Sequence, residues 1–172
     1  MQNVDLFDRE AVLKLQELTR NAETGFLQTH LDRVPCSGRP MVIVSTDDEG
    51  CLWFFSRSSS RKNSEIIENS QVQVICTRPR FSEFLSIFGT ATILRDKEKI
   101  KELWRPMLKL WLEDRDHPDV TLICVKPLEV HYWDSSHNTA GMILKNVVGA
   151  LTGAALNGDV QGALKVNESD TV

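Results

Sequence analysis

The sequence contains little of what marks fibrous, disordered or secreted chains. Its 172 residues include only 9 glycines and 6 prolines, while 41% of the residues are hydrophobic and 26% are charged. This balance is typical of an ordinary globular protein, and a chain of this length is expected to form one domain with a sizeable core. The segment Met1 to Asp8 has two acidic side chains, no basic one, and no apolar run of the kind that a secretory signal requires. We therefore expect a cytoplasmic protein.

Long hydrophobic runs and an excess of positive charge are also missing. The most apolar segment, Met142 to Leu156, is interrupted by Lys145 and Asn146. It falls short of the ~20 apolar residues that span a bilayer. The formal net charge of -4 would repel a polyanion rather than attract it. The sequence therefore predicts neither a membrane partner nor a nucleic-acid partner.

Metal-binding and disulfide motifs are absent as well. The four cysteines are irregularly spaced, without a C-x-x-C motif and without a histidine at a metal-ligand interval; they are Cys36, Cys51, Cys76 and Cys124. We predict no metal site and no disulfide framework. Three of these residues lie in apolar strand-like runs, where a free thiol packs as a small hydrophobic group. Cys36, in a predicted loop, is the one that we expect to be open to reaction.

Hydrophobic periodicity predicts an α+β protein dominated by antiparallel strands. One helix is predicted from Asp8 to about Ala22, and another over 96–113, where Pro106 introduces a kink or divides the helix in two. A turn at 47–50 indicates a hairpin, and Gly89 permits a bend in a long strand. Runs rich in β-forming residues predict strands at 24–29, 40–46, 51–56, 71–77, 84–94, 120–125 and 129–133. This order fits a closed antiparallel barrel decorated by helices, and not a doubly wound sheet.

The segment most informative about chemistry joins the strand at 51–56 to a helix that begins near Arg61. Ser60 suits the N-cap of that helix, but Arg61 and Lys62 add positive charge to a helix end that is already positive. A phosphate would compensate for this charge, because the first-turn N–H groups, the serine hydroxyls and both cations all donate to it. The alternative is a solvated linker whose cations project into water.

Catalysis by this segment is a weaker interpretation than binding. No Gly-x-x-x-x-Gly-Lys motif precedes the helix, which excludes a nucleotide-hydrolysing P-loop. The serines also have no histidine or acid close by in sequence to act as a base. We therefore expect the segment to bind an anion.

Short motifs spread over most of the chain occur together in one order. They are Gly38-Arg39-Pro40-Met41, Leu52-Trp53-Phe54-Phe55-Ser56, Ser60-Arg61-Lys62, Gly89-Thr90-Ala91, Glu102-Leu103-Trp104-Arg105-Pro106 and Tyr132-Trp133-Asp134. As an ordered set, they resemble the general stress protein 26 branch of the pyridoxamine 5'-phosphate oxidase-like FMN-binding split barrels, over roughly residues 8–135. The resemblance implies an antiparallel split β-barrel with its opening helix over residues 1–135. Residues 136–172 are predicted to form a C-terminal helix, at 139–152, and a polar tail, either part of the same unit or partly disordered.

The resemblance also implies which residues bind the cofactor. The family's phosphate cradle maps onto Ser60, Arg61 and Lys62. In that family the strand that begins with Arg-Pro-Met runs along the flavin ring, partly through backbone groups, which implies the same position for Arg39, Met41, Val42 and Ile43. The next strand contributes Phe54, Phe55 and Ser56. Phe84 and Trp133 are implied near the flavin, within a subunit or across its boundary, with plain core packing as the alternative for both aromatic rings.

The implied cofactor is FMN, with FAD as the alternative, and the implied assembly is a homodimer. The apolar stripe from Ile100 to Trp111 also favours a dimer, since it offers more buried surface than one small barrel needs. A flavin-dependent oxidoreductase with an unidentified substrate, reduced by a nicotinamide donor, is the leading interpretation. A non-catalytic flavin-binding or sensing stress protein and an anion-binding module without flavin are the alternatives.

True pyridoxamine-phosphate oxidases share a carboxyl end that carries arginine and histidine and binds the substrate. Residues 167–172 contain neither of these residue types. We therefore predict that the protein does not oxidise pyridoxamine phosphate.

Overall fold

The structure is a computed structural model, which describes residues 2–3, 5–78, 83–134 and 160–166. Its helices are α1 (Asp8–Ala22), α2 (Arg61–Glu68), α3 (Lys97–Leu103) and α4 (Lys109–Leu112), and a 3-10 turn lies at Pro106–Leu108. Its strands are β1 (Gln2–Asn3), β2 (Leu6–Phe7), β3 (Thr24–Thr29), β4 (Ser37–Val42), β5 (Ser45–Thr46), β6 (Leu52–Arg57), β7 (Gln71–Arg78), β8 (Glu83–Leu94), β9 (Val120–Asp134) and β10 (Val160–Lys165). In this part of the chain, no helix is both long and apolar enough to cross a membrane.

The strands form one mostly antiparallel sheet in the order β1-β10-β9-β8-β7-β3-β4. The first half of β9 also pairs with β6, which in turn pairs with β5. Over the described residues the ladder does not close, since β4 pairs only with β3 and β5 only with β6. The chain itself joins these edges, because Ile43 donates its N–H to the carbonyl of Glu23 and Val44 donates to that of Trp53. The α+β class, mostly sheet with few helices, is therefore confirmed, whereas closure into a barrel is not.

Two hydrophobic clusters lie on opposite faces of the central strands. The main cluster packs α1 against the sheet and includes Leu15, Leu27 and Phe54. The second lies beneath α3 and α4 and includes Phe55 and Ile100. Since neighbouring residues of a strand point to opposite faces, β6 is buried on both sides, as its uninterrupted apolar sequence predicts.

Gly89 and Pro106 shape the chain as the sequence predicts. The β8–β9 register shifts at Gly89, where an added Cβ would lie 2.3 Å from the carbonyl oxygen of Lys126. Pro106 ends the first helical segment, so that α3 and α4 are separate short helices. The sequence predicts two strands on either side of Pro127, but β9 runs through that residue, because the register shift opposite Gly89 accommodates it.

The carboxyl-terminal part of the chain differs most from expectation. Strand β10 falls within the segment predicted as a helix and polar tail, and it pairs with β9 and with the amino-terminal strands β1 and β2. The helix predicted at 139–152 lies outside the described residues.

Candidate functional site

A cationic cluster lies where the amino end of α2 meets β3 and β4. Arg39 donates from its guanidinium to Glu65 Oε2 at 2.7 Å and to the Thr29 hydroxyl at 2.6 Å. Arg61, the first residue of α2, donates from Nε to Glu65 Oε1 at 2.8 Å, and the Ser37 hydroxyl donates to the same oxygen at 2.8 Å. The Thr29 hydroxyl donates to Oε2 at 2.5 Å. Four donors from β3, β4 and α2 therefore converge on one carboxylate.

Glu65 is ionised at neutral pH although only 2% of its surface is exposed. Burial by itself would raise the pKa of the carboxyl group, but the hydrogen bonds from Thr29, Arg39 and Ser37 outweigh it and hold the pKa at about 2. The carboxylate thus fixes both guanidinium groups in place. Glu65 is not among the site residues predicted from the sequence. Its position four residues after Arg61 on a predicted helix does indicate an ion pair between the two.

Lys62 carries the remaining positive charge of the cluster. In the described ranges its amine forms no hydrogen bond and no ion pair, in contrast to Arg39 and Arg61. Its pKa lies below the ordinary value for lysine, because partial burial disfavours the charged form and the nearby Arg39 repels it. Three cations against one carboxylate leave an excess of two positive charges. That excess matches the charge of a phosphate monoester, which is about −1.5 to −2 at neutral pH.

A polar network fixes the start of α2 to the sheet. Ser60 occupies the N-cap position, as predicted, but its hydroxyl lies 3.1 Å from that of Ser56 and 3.2 Å from Asn63 Oδ1. Asn63 also accepts from Ser56 at 2.7 Å and donates to Thr121 at 3.1 Å. The Asn63 N–H donates to the Ser60 carbonyl at 3.0 Å, but the Ser60 side chain does not cap the helix. Among the described residues, the N–H groups of Arg61 and Lys62 are therefore left for another acceptor.

The other two serines of the predicted phosphate segment, Ser58 and Ser59, bond to Asp119. Ser58 and Ser59 donate their hydroxyls to the carboxylate of Asp119, and Ser59 adds its backbone N–H at 3.0 Å. These bonds hold the pKa of Asp119 at about 2. The hydroxyls of Ser58 and Ser59 are therefore taken up by Asp119, whereas that of Ser60 bonds to Ser56 and Asn63 at the start of α2.

The residues implied along the flavin ring are mainly packed side chains. Met41 and Ile43 pack on the main core cluster, and Val42, also on this segment, is half-buried. Phe54 is fully buried. The ring of Phe55 packs edge-on against Trp104, with the ring centroids 5.4 Å apart.

The backbone of β6 presents polar groups that its aromatic side chains lack. The carbonyl of Trp53 accepts from Val44, so the polar backbone groups of Phe55, two residues on, point to the same edge of the strand. Within the described residues, no strand pairs with that edge beyond Trp53. Phe55 can therefore reach a ligand through its backbone.

Phe84 and Trp133 lie together on the outer face of the sheet. They are cross-strand neighbours on β8 and β9 and line a shallow groove of about 390 Å³ together with Ile75, Leu85 and Ser86. Phe84 is 45% exposed, so core packing does not describe it. The groove shares no lining residue with the cationic cluster, and a single chain therefore presents two separate surfaces.

The fold has counterparts among known proteins. The sequence profile of the family described as pyridoxamine 5'-phosphate oxidase like matches residues 10–157. Protein bli-3 of Neurospora crassa is 26% identical over 145 residues, which is 78% of this chain and 65% of that protein, so the chain spans less than two thirds of this relative's length.

Two solved structures illustrate the structural likeness. A protein from Jannaschia sp. CCS1 that carries the name general stress protein 26 has a TM-score of 0.77 at 17% identity, covering 91% of this chain and 98% of that one. A pyridoxamine 5'-phosphate oxidase-related, FMN binding protein from Nostoc punctiforme has a TM-score of 0.52 at 18% identity, covering 73% and 83%. Because the family match spans most of the sequence, the chain belongs to the pyridoxamine 5'-phosphate oxidase like family.

Proposed function

We propose that the protein is a split-barrel flavoprotein of the general stress type, which binds FMN through the phosphate and acts as a flavin-dependent oxidoreductase. The observation that carries this proposal is the cationic cluster of Arg39, Arg61 and Lys62 around Glu65. When bound, the flavin supplies the redox chemistry, and the protein supplies position and electrostatics.

The cluster has unused donors for a phosphate. An arginine has five N–H donors, and Glu65 and Thr29 take two of those of Arg39. The side chain of Arg61 is 83% exposed, so its terminal N–H groups remain accessible after Nε binds Glu65. Together with Lys62 and the first-turn N–H groups of α2, these donors suit the terminal phosphate of FMN better than the internal pyrophosphate of FAD.

The ring of the flavin would lie beside β4 and the free edge of β6, where Phe55 presents polar backbone groups. The ring of a flavin also needs an apolar surface to cover it. The groove at Phe84 and Trp133 has such an apolar, aromatic lining, but it lies elsewhere on the same chain. We therefore propose a homodimer in which the groove of one protomer completes the site of the other.

Titration with two flavins tests the proposal. Lys62→Ala removes one charge-assisted hydrogen bond, worth ~1.5–3 kcal/mol, and should weaken FMN binding by about ten- to a hundredfold. Riboflavin lacks the phosphate, so its affinity should not change. Lys101→Ala, which removes an exposed cation paired with Glu98 on α3, is the matched control and should affect neither ligand.

The same titration separates the alternatives. An equal loss for both flavins, or an unchanged FMN affinity, would contradict a phosphate site at Lys62. A protein that binds inorganic phosphate but neither flavin would be an anion-binding module. If the flavin binds but neither NADPH nor NADH reduces it, the non-catalytic flavin-binding alternative is favoured over an oxidoreductase.

A further inference from the structure

Two thiols that the proposed flavin site does not use lie side by side at the β6–β9 ladder. Cys51 directly precedes β6, and Cys124 lies on β9 opposite Trp53. Side chains alternate along a strand, so Cys51, Trp53 and Cys124 project from the same face of the sheet. The thiols of Cys51 and Cys124 share a hydrogen bond, and both residues are free cysteines.

The surroundings give the two thiols different reactivities. The pKa of Cys124 lies below its ordinary value because the Cys51 thiol donates to it. Burial and the negative charges of Asp47 and Glu49 oppose this shift, and the positive charge of Lys99 adds a smaller lowering. The pKa of Cys51 is raised by the same hydrogen bond and by burial. Cys124 is also the more accessible of the two, since it is half-buried whereas Cys51 is buried. A thiolate is the reactive form of cysteine, which makes Cys124 the attacking sulfur.

We propose that Cys51 and Cys124 are a redox-active dithiol that a peroxide oxidises to an intramolecular disulfide. The Cys124 thiolate attacks one peroxide oxygen; an S–O bond forms, the O–O bond breaks, and the leaving hydroxide takes up a proton to become water. The Cys51 sulfur then attacks the sulfenic acid; the S–S bond forms, the S–O bond breaks, and the Cys51 proton leaves with the second water. The two sulfurs lose two electrons in total, and hydrogen peroxide is reduced to two waters.

The other two cysteines lie in different settings. Cys76 is buried in the main core, where burial raises its pKa to about 12. Cys36 ends the loop between β3 and β4 and accepts a hydrogen bond from Gln28 at 3.4 Å. Spacing along the sequence gives no hint of the pair, because 51 and 124 become neighbours only through the β6–β9 register. The sequence predicts that Cys51 and Cys124 pack as small hydrophobic groups, and the proposal adds a redox role to that prediction.

Oxidation of the reduced protein by hydrogen peroxide tests the proposal. We expect two of the four thiols to become unavailable to a thiol reagent in denaturant, the intact mass to fall by two hydrogens, and both changes to be reversed by dithiothreitol. Peptide mapping should identify the Cys51–Cys124 link. Because a disulfide here ties the β5–β6 hairpin to β9, the oxidised form should also have a higher thermal midpoint.

Variants separate this pair from the other thiols. Cys36→Ser should form the disulfide as the wild type does, whereas Cys51→Ala should stop at a Cys124 sulfenic acid that dimedone traps. Four unchanged thiols after peroxide, a link that involves Cys36 or Cys76, or a link only between two chains would overturn the proposal. Peptide mapping of the oxidised wild-type protein tests the proposal even if Cys51→Ala does not fold. The outcome is also independent of flavin binding, since the measurement involves no flavin.

Discussion

Glu65 determines how much positive charge the candidate phosphate site presents. Its carboxylate holds Arg39 and Arg61 and offsets part of their charge, so Lys62 is the cation whose charge is least compensated. From the sequence alone, the charges of Arg61 and Lys62 at the start of α2 predict a phosphate that compensates for them. The structure shows that Glu65 already compensates for Arg61, and the case for phosphate now depends on the net excess of charge.

Replacing Glu65 by Gln should lower the free energy of unfolding at neutral pH and make that free energy change less as the pH falls. The folded-state pKa of about 2 lies below the ordinary value of 4.5, so the ionised carboxylate stabilises the fold above pH 4.5. This contribution is lost as the pH falls from 4.5 through about 2, and it amounts to about 3 kcal/mol. Urea unfolding at neutral pH and at steps down to pH ~2 would measure it.

An exposed carboxylate on α3 provides the control for this substitution. Glu98 pairs with Lys101 at 2.9 Å, and the Glu98 side chain is 84% exposed. Glu98→Gln should therefore change the unfolding free energy by less than about 1 kcal/mol. Parallel pH profiles for wild type and Glu65→Gln would contradict the role assigned to the buried carboxylate.

The register shift between β8 and β9 depends on the missing side chain of Gly89. A Cβ at this position would lie 2.3 Å from the backbone oxygen of Lys126, which cannot move away by a change of rotamer as a side chain can. Gly89→Ala should therefore lower the unfolding free energy by about 1–3 kcal/mol. Gly38→Ala is the control, since its Cβ would meet the ring of Phe26, which is 44% exposed and can rotate away. Equal losses for the two variants in urea unfolding would show that the close approach at Gly89 is not what matters.

Local patterns predict these elements because the residues that determine them are close in sequence. The hairpin at 47–50 is set by Gly50, which adopts a φ of 79°, and the division of the second long helix is set by Pro106. Strand β10 was missed, because its place in the sheet depends on β9 and on strands at the other end of the chain. Periodicity indicates which face of a segment is buried, but it does not identify the partner that buries it.

The same limit explains which part of the candidate site could be predicted. Ser60, Arg61 and Lys62 are consecutive, and their types alone indicate an anion site. Glu65, in contrast, accepts hydrogen bonds from Thr29 and Ser37, which lie 36 and 28 residues away in the sequence. These residues come close to Glu65 only in the folded chain, so local sequence does not predict the bonds.

At the scale of the whole molecule, the exposed apolar side chains of the described residues cluster on two surfaces. The first is the outer sheet face, where Phe26 lies opposite Ile75 and Phe84 lies opposite Trp133. The second, near α4, consists of Met107, Leu110 and Trp111. The apolar stripe predicted from Ile100 to Trp111 is largely used within the chain, since Ile100, Leu103 and Leu108 pack in the second core cluster. We therefore propose the sheet face, which extends over several strands, as the dimer interface.

Placing a charge on each surface in turn distinguishes the two. Phe84→Asp should convert a homodimer to a monomer, because an unpaired carboxylate would be buried at the centre of the interface. Leu110→Asp, at a side chain that is 79% exposed near α4, should leave the dimer intact. Light scattering at micromolar concentration reports the number of chains. The opposite result for the two variants would move the interface to α4, and a wild-type monomer would exclude the dimer altogether.

Flavin binding by the same variant connects the assembly to the site. If the groove at Phe84 and Trp133 of one protomer covers the flavin ring of the other, Phe84→Asp should weaken FMN and riboflavin to the same extent, because both ligands share the ring. Lys62→Ala should weaken FMN alone. A monomeric Phe84→Asp protein that retains wild-type affinity for both flavins would show that each chain binds its cofactor without help from a partner. In that case the cationic cluster would remain the proposed phosphate site, but the proposal that two protomers share the site of the flavin ring would be wrong.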